Sequence, residues 1–156
     1  MHSNFFKLRS FLAVLCLAFS ASIALADDTI IGFVKTVEGN ASIIAAGTAV
    51  PAQPGMALRV GHVLKTAQPG SMGVMLKDNT SLSVGPDSEL VLDDYLYAPG
   101  RGELRLALNF IKGSLNYVSG IIAHLKPDAI SIKTPTGVIG VRGTQFLAKV
   151  EPETQP

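Results

Sequence analysis

Apolar side chains in this chain recur at every second residue, and a three-to-four-residue rhythm is hard to find. Leu104, Leu106, Leu108 and Phe110 alternate with Glu103, Arg105, Ala107 and Asn109, which gives a single apolar face at period two. That pattern is a half-buried strand. Shorter runs repeat it at Met72-Val74-Leu76, Leu82-Val84, Leu90-Leu92, Leu115-Tyr117, Ile130-Ile132 and Phe146-Ala148-Val150. Between them lies turn chemistry. Pro54-Gly55, Pro69-Gly70 and Pro99-Gly100 each pair a residue preset near φ −65° with one that tolerates positive φ, so each predicts a type II turn. Asp78-Asn79 predicts a tight hairpin over Gly73 to Val84, and Gly85-Pro86-Asp87 closes its second strand. Ser119 to Leu125 is the single weak helical stretch. Closely spaced turns without amphipathic helices exclude βαβ units and predict an all-β single domain of about ten short strands, folded as a sandwich, a roll or an irregular β-solenoid. No fixed-period repeat specifies a propeller.

Length and composition agree with one domain: 156 residues with 47% hydrophobic and 16% charged side chains suffice for a core and exclude a disordered chain. The 13 basic and 12 acidic residues nearly cancel, so no broad field gathers phosphates and no nucleic-acid partner is expected. Residues 1–26 have the form of a secretory signal. Lys7 and Arg9 start it, an apolar run from Phe11 to Phe19 follows, and Ala24-Leu25-Ala26 places small residues where signal peptidase cuts, after Ala26. The segment is shorter than the roughly 20 residues of a membrane span. Leu15 before Cys16 argues against a lipoprotein signal. Cys16 is the chain's one cysteine, so cleavage leaves no disulfide and no thiolate metal site. The domain is then expected over 27–150, in the periplasm or secreted, with residues 151–156 a polar, disordered tail.

Catalytic signals are sparse. His62 and His124 are far apart in sequence and form no metal-ligand motif, and no cofactor is expected. Ser71 lies in Gly70-Ser71-Met72-Gly73, which lacks the spacing of a nucleophile elbow. Asp87, Glu89, Asp93 and Asp94 bracket one strand, where they serve either as soluble strand ends or as a calcium or glycosidase-like pair. Gly137, Gly140 and Gly143 match no phosphate-loop motif; close packing or bulges are the expected reason for them.

The most specific stretch is Ile132-Lys133-Thr134-Pro135-Thr136-Gly137-Val138-Ile139-Gly140-Val141-Arg142-Gly143-Thr144-Gln145-Phe146. It resembles the closing signature of the FecR domain, with Thr134-Pro135 followed by Val141-Arg142-Gly143-Thr144 and the aromatic Phe146. Gly61-His62-Val63-Leu64-Lys65-Thr66 looks like that family's early turn, with His62 in place of the usual aspartate. Gly73 to Leu92 looks like its central hairpin and following strand, with Asn79 in place of a glycine. The resemblance extends over about Gly32 to Val150. It implies an all-β periplasmic domain, whose best-known members relay the ligand state of an outer-membrane receptor to a cytoplasmic sigma factor. The anti-sigma segment, transmembrane helix and receptor-contacting region of those regulators are not expected in this chain.

The residues of the signature have a reading of their own. Thr134-Pro135 must end the strand Ile130 to Thr134 or place it at an edge. Arg142 either turns inward to a carboxylate or faces out as a binding residue. The inward, paired reading is the expectation, with Gly143 at a position that a side chain would strain, because an unpaired buried arginine is too costly. The functional expectation is an exported, non-catalytic FecR-like module that binds an envelope protein or polymer. The alternatives are a carbohydrate-active enzyme using the carboxylates of Asp87 to Asp94, and a structural envelope component that forms homo-oligomers through its sheet edges. N-terminal sequencing of the exported protein is expected to start at Asp27; an intact Met1 on a membrane-retained product would overturn the leader assignment.

Overall fold

The computed structural model of the chain describes residues 29–151. The expected leader and the tail beyond Glu151 lie outside the described residues. Ten strands occur in chain order: β1 (Gly32–Ala45), β2 (Thr48–Pro51), β3 (Ala57–Leu58), β4 (Val63–Leu76), β5 (Ser81–Val84), β6 (Glu89–Ala98), β7 (Glu103–Val118), β8 (Ile130–Thr134), β9 (Gly137–Gly140) and β10 (Gln145–Val150). Among the described residues, helix is confined to α1 (Ile121–Leu125) and to 3-10 turns at Pro99–Arg101 and Pro127–Ala129. All ten strands belong to one sheet, so the all-β expectation holds and the architecture is a roll.

The roll follows from three long strands that change partners midway. In β4, Val63–Lys65 pair with Glu89–Val91 of β6, whereas Met72–Met75 pair with Ser81–Val84 of β5. In β7, the first stretch runs along β6 and Leu115–Val118 run along β5. The other margin of β7 carries β8 in parallel at Leu106–Asn109 and β10 antiparallel at Gly113–Val118. β1 likewise holds β3 near its start and β2 near its end. One half of the sheet therefore reads β3-β1-β4-β5-β7-β10 and the other β2-β1-β4-β6-β7-β8-β9. Inward residues of both halves, including Leu64, Leu90, Leu106 and Leu108 from one and Met72, Val84, Leu115 and Tyr117 from the other, form a single apolar core.

A crease divides the halves, and its chemistry is specific. It crosses Gly39 of β1, Pro69-Gly70 of β4, the segment Gly85 to Ser88, and Gly113 of β7. Gly39 and Gly113 hold φ values of +63° and +96°, conformations that L side chains rarely adopt. A Cβ on Gly39 would run into the Pro69 carbonyl, and one on Gly113 into Ser88. Hydroxyls then satisfy the polar groups that the bend would otherwise strand. Thr66 Oγ1 donates to the Gly85 carbonyl at 2.6 Å and accepts from the Ser88 amide at 2.9 Å. Ser88 Oγ accepts from the Ser114 amide at 3.0 Å, and the Gly85 amide donates to the Ser114 carbonyl at 3.0 Å.

Crossing the crease shifts the alternation of β7. Its buried positions are Leu104, Leu106, Leu108 and Phe110 before Gly113, then Leu115 and Tyr117 after it. The sequence pattern suggests two strands there; the structure has one continuous strand with a phase jump. Two of the three Pro-Gly turns are also corrected. Gly55 has φ +89°, in keeping with the expected turn, but Pro69-Gly70 lies inside β4 behind a cis Gln68-Pro69 bond, and Pro99 opens a 3-10 turn whose left-handed residue is Gly102. Neither Gly70 nor Gly100 has positive φ, because ladder pairing and 3-10 bonding respectively set the backbone.

The hairpin at Asp78-Asn79 is as expected, with Asn79 at φ +66° and Met72 to Met75 paired to Val84 to Ser81. Asp78 is wholly buried and does more than turn the chain. Its carboxylate accepts from Thr80 Oγ1 at 2.7 Å, from the Thr80 and Ile122 amides at 3.3 Å, and from the Tyr95 hydroxyl at 3.2 Å. Its carbonyl accepts from the Ile121 amide at 2.7 Å. The β4–β5 hairpin is thereby fastened to β6 and to the start of α1, and hydrogen bonds to the charged form make burial of this carboxylate tolerable.

Two predictions follow from this packing. Gly113→Val meets both the Ser88 contact and the positive φ, and is expected to destabilise by more than about 2 kcal/mol in a denaturant titration; an unchanged midpoint would show that the crease yields. The second concerns alkaline pH. Burial, then the charge of Asp78, pushes the Tyr95 phenol up from its ordinary value, and burial pushes Tyr117 up too. Phenols in the unfolded chain lose their protons near about pH 10 while the folded ones keep theirs. Stability is therefore complete below that pH and falls as pH rises beyond it. Thermal melts are expected to move lower between about pH 9 and about pH 11, with a shallower slope in Tyr95→Phe.

Candidate functional site

The C-terminal signature divides into a turn, two anchors and a displayed segment. Thr134 ends β8, and its Oγ1 donates to the Gly137 carbonyl at 3.0 Å, tightening the reversal through Pro135 and Thr136 into β9. Pro135 is exposed at that reversal, where its missing N–H breaks no ladder bond. Val141 is the first anchor, at 4% exposure in the core. Phe146 is the second, stacked on Tyr117 with ring centroids 5.0 Å apart and planes 16° apart. Between the anchors, Arg142, Gly143 and Thr144 are exposed.

Backbone bonds hold the displayed segment in place. Ser119 Oγ donates to the Gly143 carbonyl at 2.6 Å, and the Ser119 amide donates to the Thr144 carbonyl at 2.8 Å. The loop is thus tied to the end of β7 while its side chains remain outside. Beside it lies a cleft of about 500 Å³ walled by α1, the 3-10 turn after it and the loop itself, with His124, Asp128 and Arg142 among the lining residues.

The structure corrects the expectation for Arg142 and Gly143. Arg142 faces solvent and has no ion pair or hydrogen bond among the described residues. The inward reading fails because Val141, one residue earlier, takes the core position and leaves Arg142 on the exposed stretch before Phe146. Nothing would crowd a Cβ on Gly143, nor on Gly137 or Gly140, and none of the three has positive φ. Close packing is therefore not the reason for these glycines; crowded glycines lie elsewhere, at the crease, in the β1–β4 pairing at Gly32 and Gly73, and at Gly120, whose Cβ would meet the backbone of Asp78 and Thr80.

The acidic cluster does not converge on a site. Lys112 binds Asp87 at 2.8 Å, Lys65 faces Glu89 at 3.5 Å, Lys133 faces Asp93 at 3.8 Å, and Arg105 binds Asp94. Each carboxylate thus has its own cation, supplied by another strand. His62 is half-buried just ahead of β4, whereas His124 is exposed on α1. Ser71 lies within β4 opposite Glu38. Among the described residues no group of three or more His, Cys, Asp and Glu side chains is placed to hold a metal ion. Ser119 escaped the sequence reading because a serine after a strand carries no local sign of the loop it will hold. Asp78 was visible only as a turn residue.

A rolled single-sheet domain with one specific segment displayed between core anchors at its C-terminal margin is the class that fold and site define. The chain belongs to the FecR protein family, whose model matches residues 62–156. The match begins just before β4 and includes the whole signature, while β1 to β3 precede it. No curated protein and no solved structure matches the chain. No helix among the described residues is long and apolar enough to cross a membrane.

Proposed function

We propose that this FecR-family chain is an exported, non-catalytic module of the cell envelope that binds a protein or an envelope polymer through the Arg142-Gly143-Thr144 segment. One observation carries the reading. Arg142 is an exposed guanidinium with no carboxylate partner among the described residues, on a backbone fixed by Ser119, at the rim of a cleft. A planar fork of donors held in this way suits bidentate recognition of a carboxylate or phosphate, and a fixed backbone reduces the entropy lost on binding. Membership of the family supports an envelope-sensing role. The carbohydrate-active alternative draws no support from carboxylates that are each matched to a separate cation.

Cross-linking in intact cells followed by mass spectrometry tests the proposal. The wild-type chain is expected to capture a defined envelope partner, and Arg142→Ala is expected to lose it while melting within about 1 °C of wild type, as surface changes away from special features usually do. Equal capture by the variant would move the binding surface elsewhere. A clearly lowered melting temperature would make Arg142 structural.

A further inference from the structure

Four short strands end the sheet, and they differ in what they offer a further strand. β2 terminates in Pro51, β3 has two residues, and β9 has a glycine at each end. β10 has six residues with neither proline nor glycine, and it pairs only with β7 among the described strands. Edges of this kind are normally blunted by proline, bulges or charge. On β10 the outward side chains are Gln145, Leu147 and Lys149, and Leu147 is 75% exposed, the most exposed large apolar side chain among those described. A groove of about 520 Å³ runs alongside β10 from Ile139 to Lys149, leaving room there for added backbone.

We propose that β10 is a homodimerisation edge: it pairs antiparallel with β10 of a second copy about a two-fold axis at Leu147, continuing the sheet from one protomer into its partner.

Backbone parity selects this register. The Ser119 amide donates to the Thr144 carbonyl, so residues 144, 146, 148 and 150 direct their backbone groups toward β7. Gln145, Leu147 and Lys149 therefore direct theirs outward. A two-fold at Leu147 sets each Leu147 opposite its copy and each Gln145 opposite Lys149, so all three outward residues enter hydrogen-bonded pairs. The two leucines remove each other from water. A two-fold at Lys149 would oppose two ammonium groups, and one at Gln145 would leave Leu147 opposite Gly143. The cation on Lys149 is moderated by Glu151, whose carboxylate lies 2.9 Å from it. A second copy is the occupant because, in this register, the strand's outward backbone groups pair with their own copies, the exposed Leu147 is covered by itself, and no like charges stand opposite each other.

Sedimentation equilibrium and thiol cross-linking of the purified chain test the proposal. Wild type is expected to show a monomer–dimer equilibrium. Leu147→Lys places like charges directly opposite each other and is expected to raise the dimer dissociation constant about tenfold or more, with an unchanged melt at dilutions where both proteins are monomeric, because residue 147 of the monomer faces solvent. In a Cys16→Ser background, Leu147→Cys should form a covalent dimer under mild oxidation, since partners in such a pair stand about 5.5 Å apart at Cα. Gln145→Cys should do so far more slowly. A monomer at every concentration, a dimer indifferent to Leu147→Lys, or equal cross-linking at 145 and 147 would each overturn the assignment.

Discussion

Everything else in the fold depends on bending three long strands together without stranding their backbone groups. A sheet of this width has a flat face that water would wet, and burying it needs either a second sheet or a fold of the first upon itself. The chain takes the second course. Glycines at 39 and 113 accept left-handed backbone, and the hydroxyls of Thr66 and Ser88 supply donors and acceptors where the ladders part. Because these groups interlock across four different segments, the bend is shared and not local to one strand. One crease thereby gives both halves a common core.

Asp78 performs the complementary task at the far end of the β4–β5 hairpin. A buried carboxylate is costly, and here hydrogen bonds from a threonine, a tyrosine and the start of α1 offset that cost. The bonds join elements well separated in sequence, so the residue fixes α1 against the sheet. α1 in turn forms one wall of the cleft beside Arg142. A turn residue at one end of the sheet thus helps to define the candidate site.

The site has a simple division of labour. Val141 and Phe146 are held by the core and the Tyr117 ring, Ser119 grips the carbonyls between them, and the side chains of the intervening residues are left outside. Such a segment presents chemistry on a rigid support, as recognition requires. The adjoining edge strand adds a second kind of surface, defined by its backbone and by Leu147. The two surfaces use different chemistry, charge in one case and ladder pairing in the other.

Period-two alternation determined the fold class by itself, because side chains on a strand face opposite ways and only a half-buried sheet rewards that pattern. The Asp78-Asn79 hairpin was equally legible, since its turn chemistry is local. The end of β8 at Thr134-Pro135 was local as well. The roll was not legible: partner switching in β4 and β7 joins residues distant in sequence, and the phase jump at Gly113 looks the same as a strand break until both halves are seen packed on one core. The same limit governed Pro69-Gly70, where ladder pairing overrode the local turn preference. It also governed Arg142. Sequence supplies a guanidinium between small and apolar neighbours, but which neighbour enters the core is decided by where the sheet margin lies. Only the tertiary structure places Val141 inside, because the sheet margin puts that residue against the core, and leaves Arg142 out in solvent.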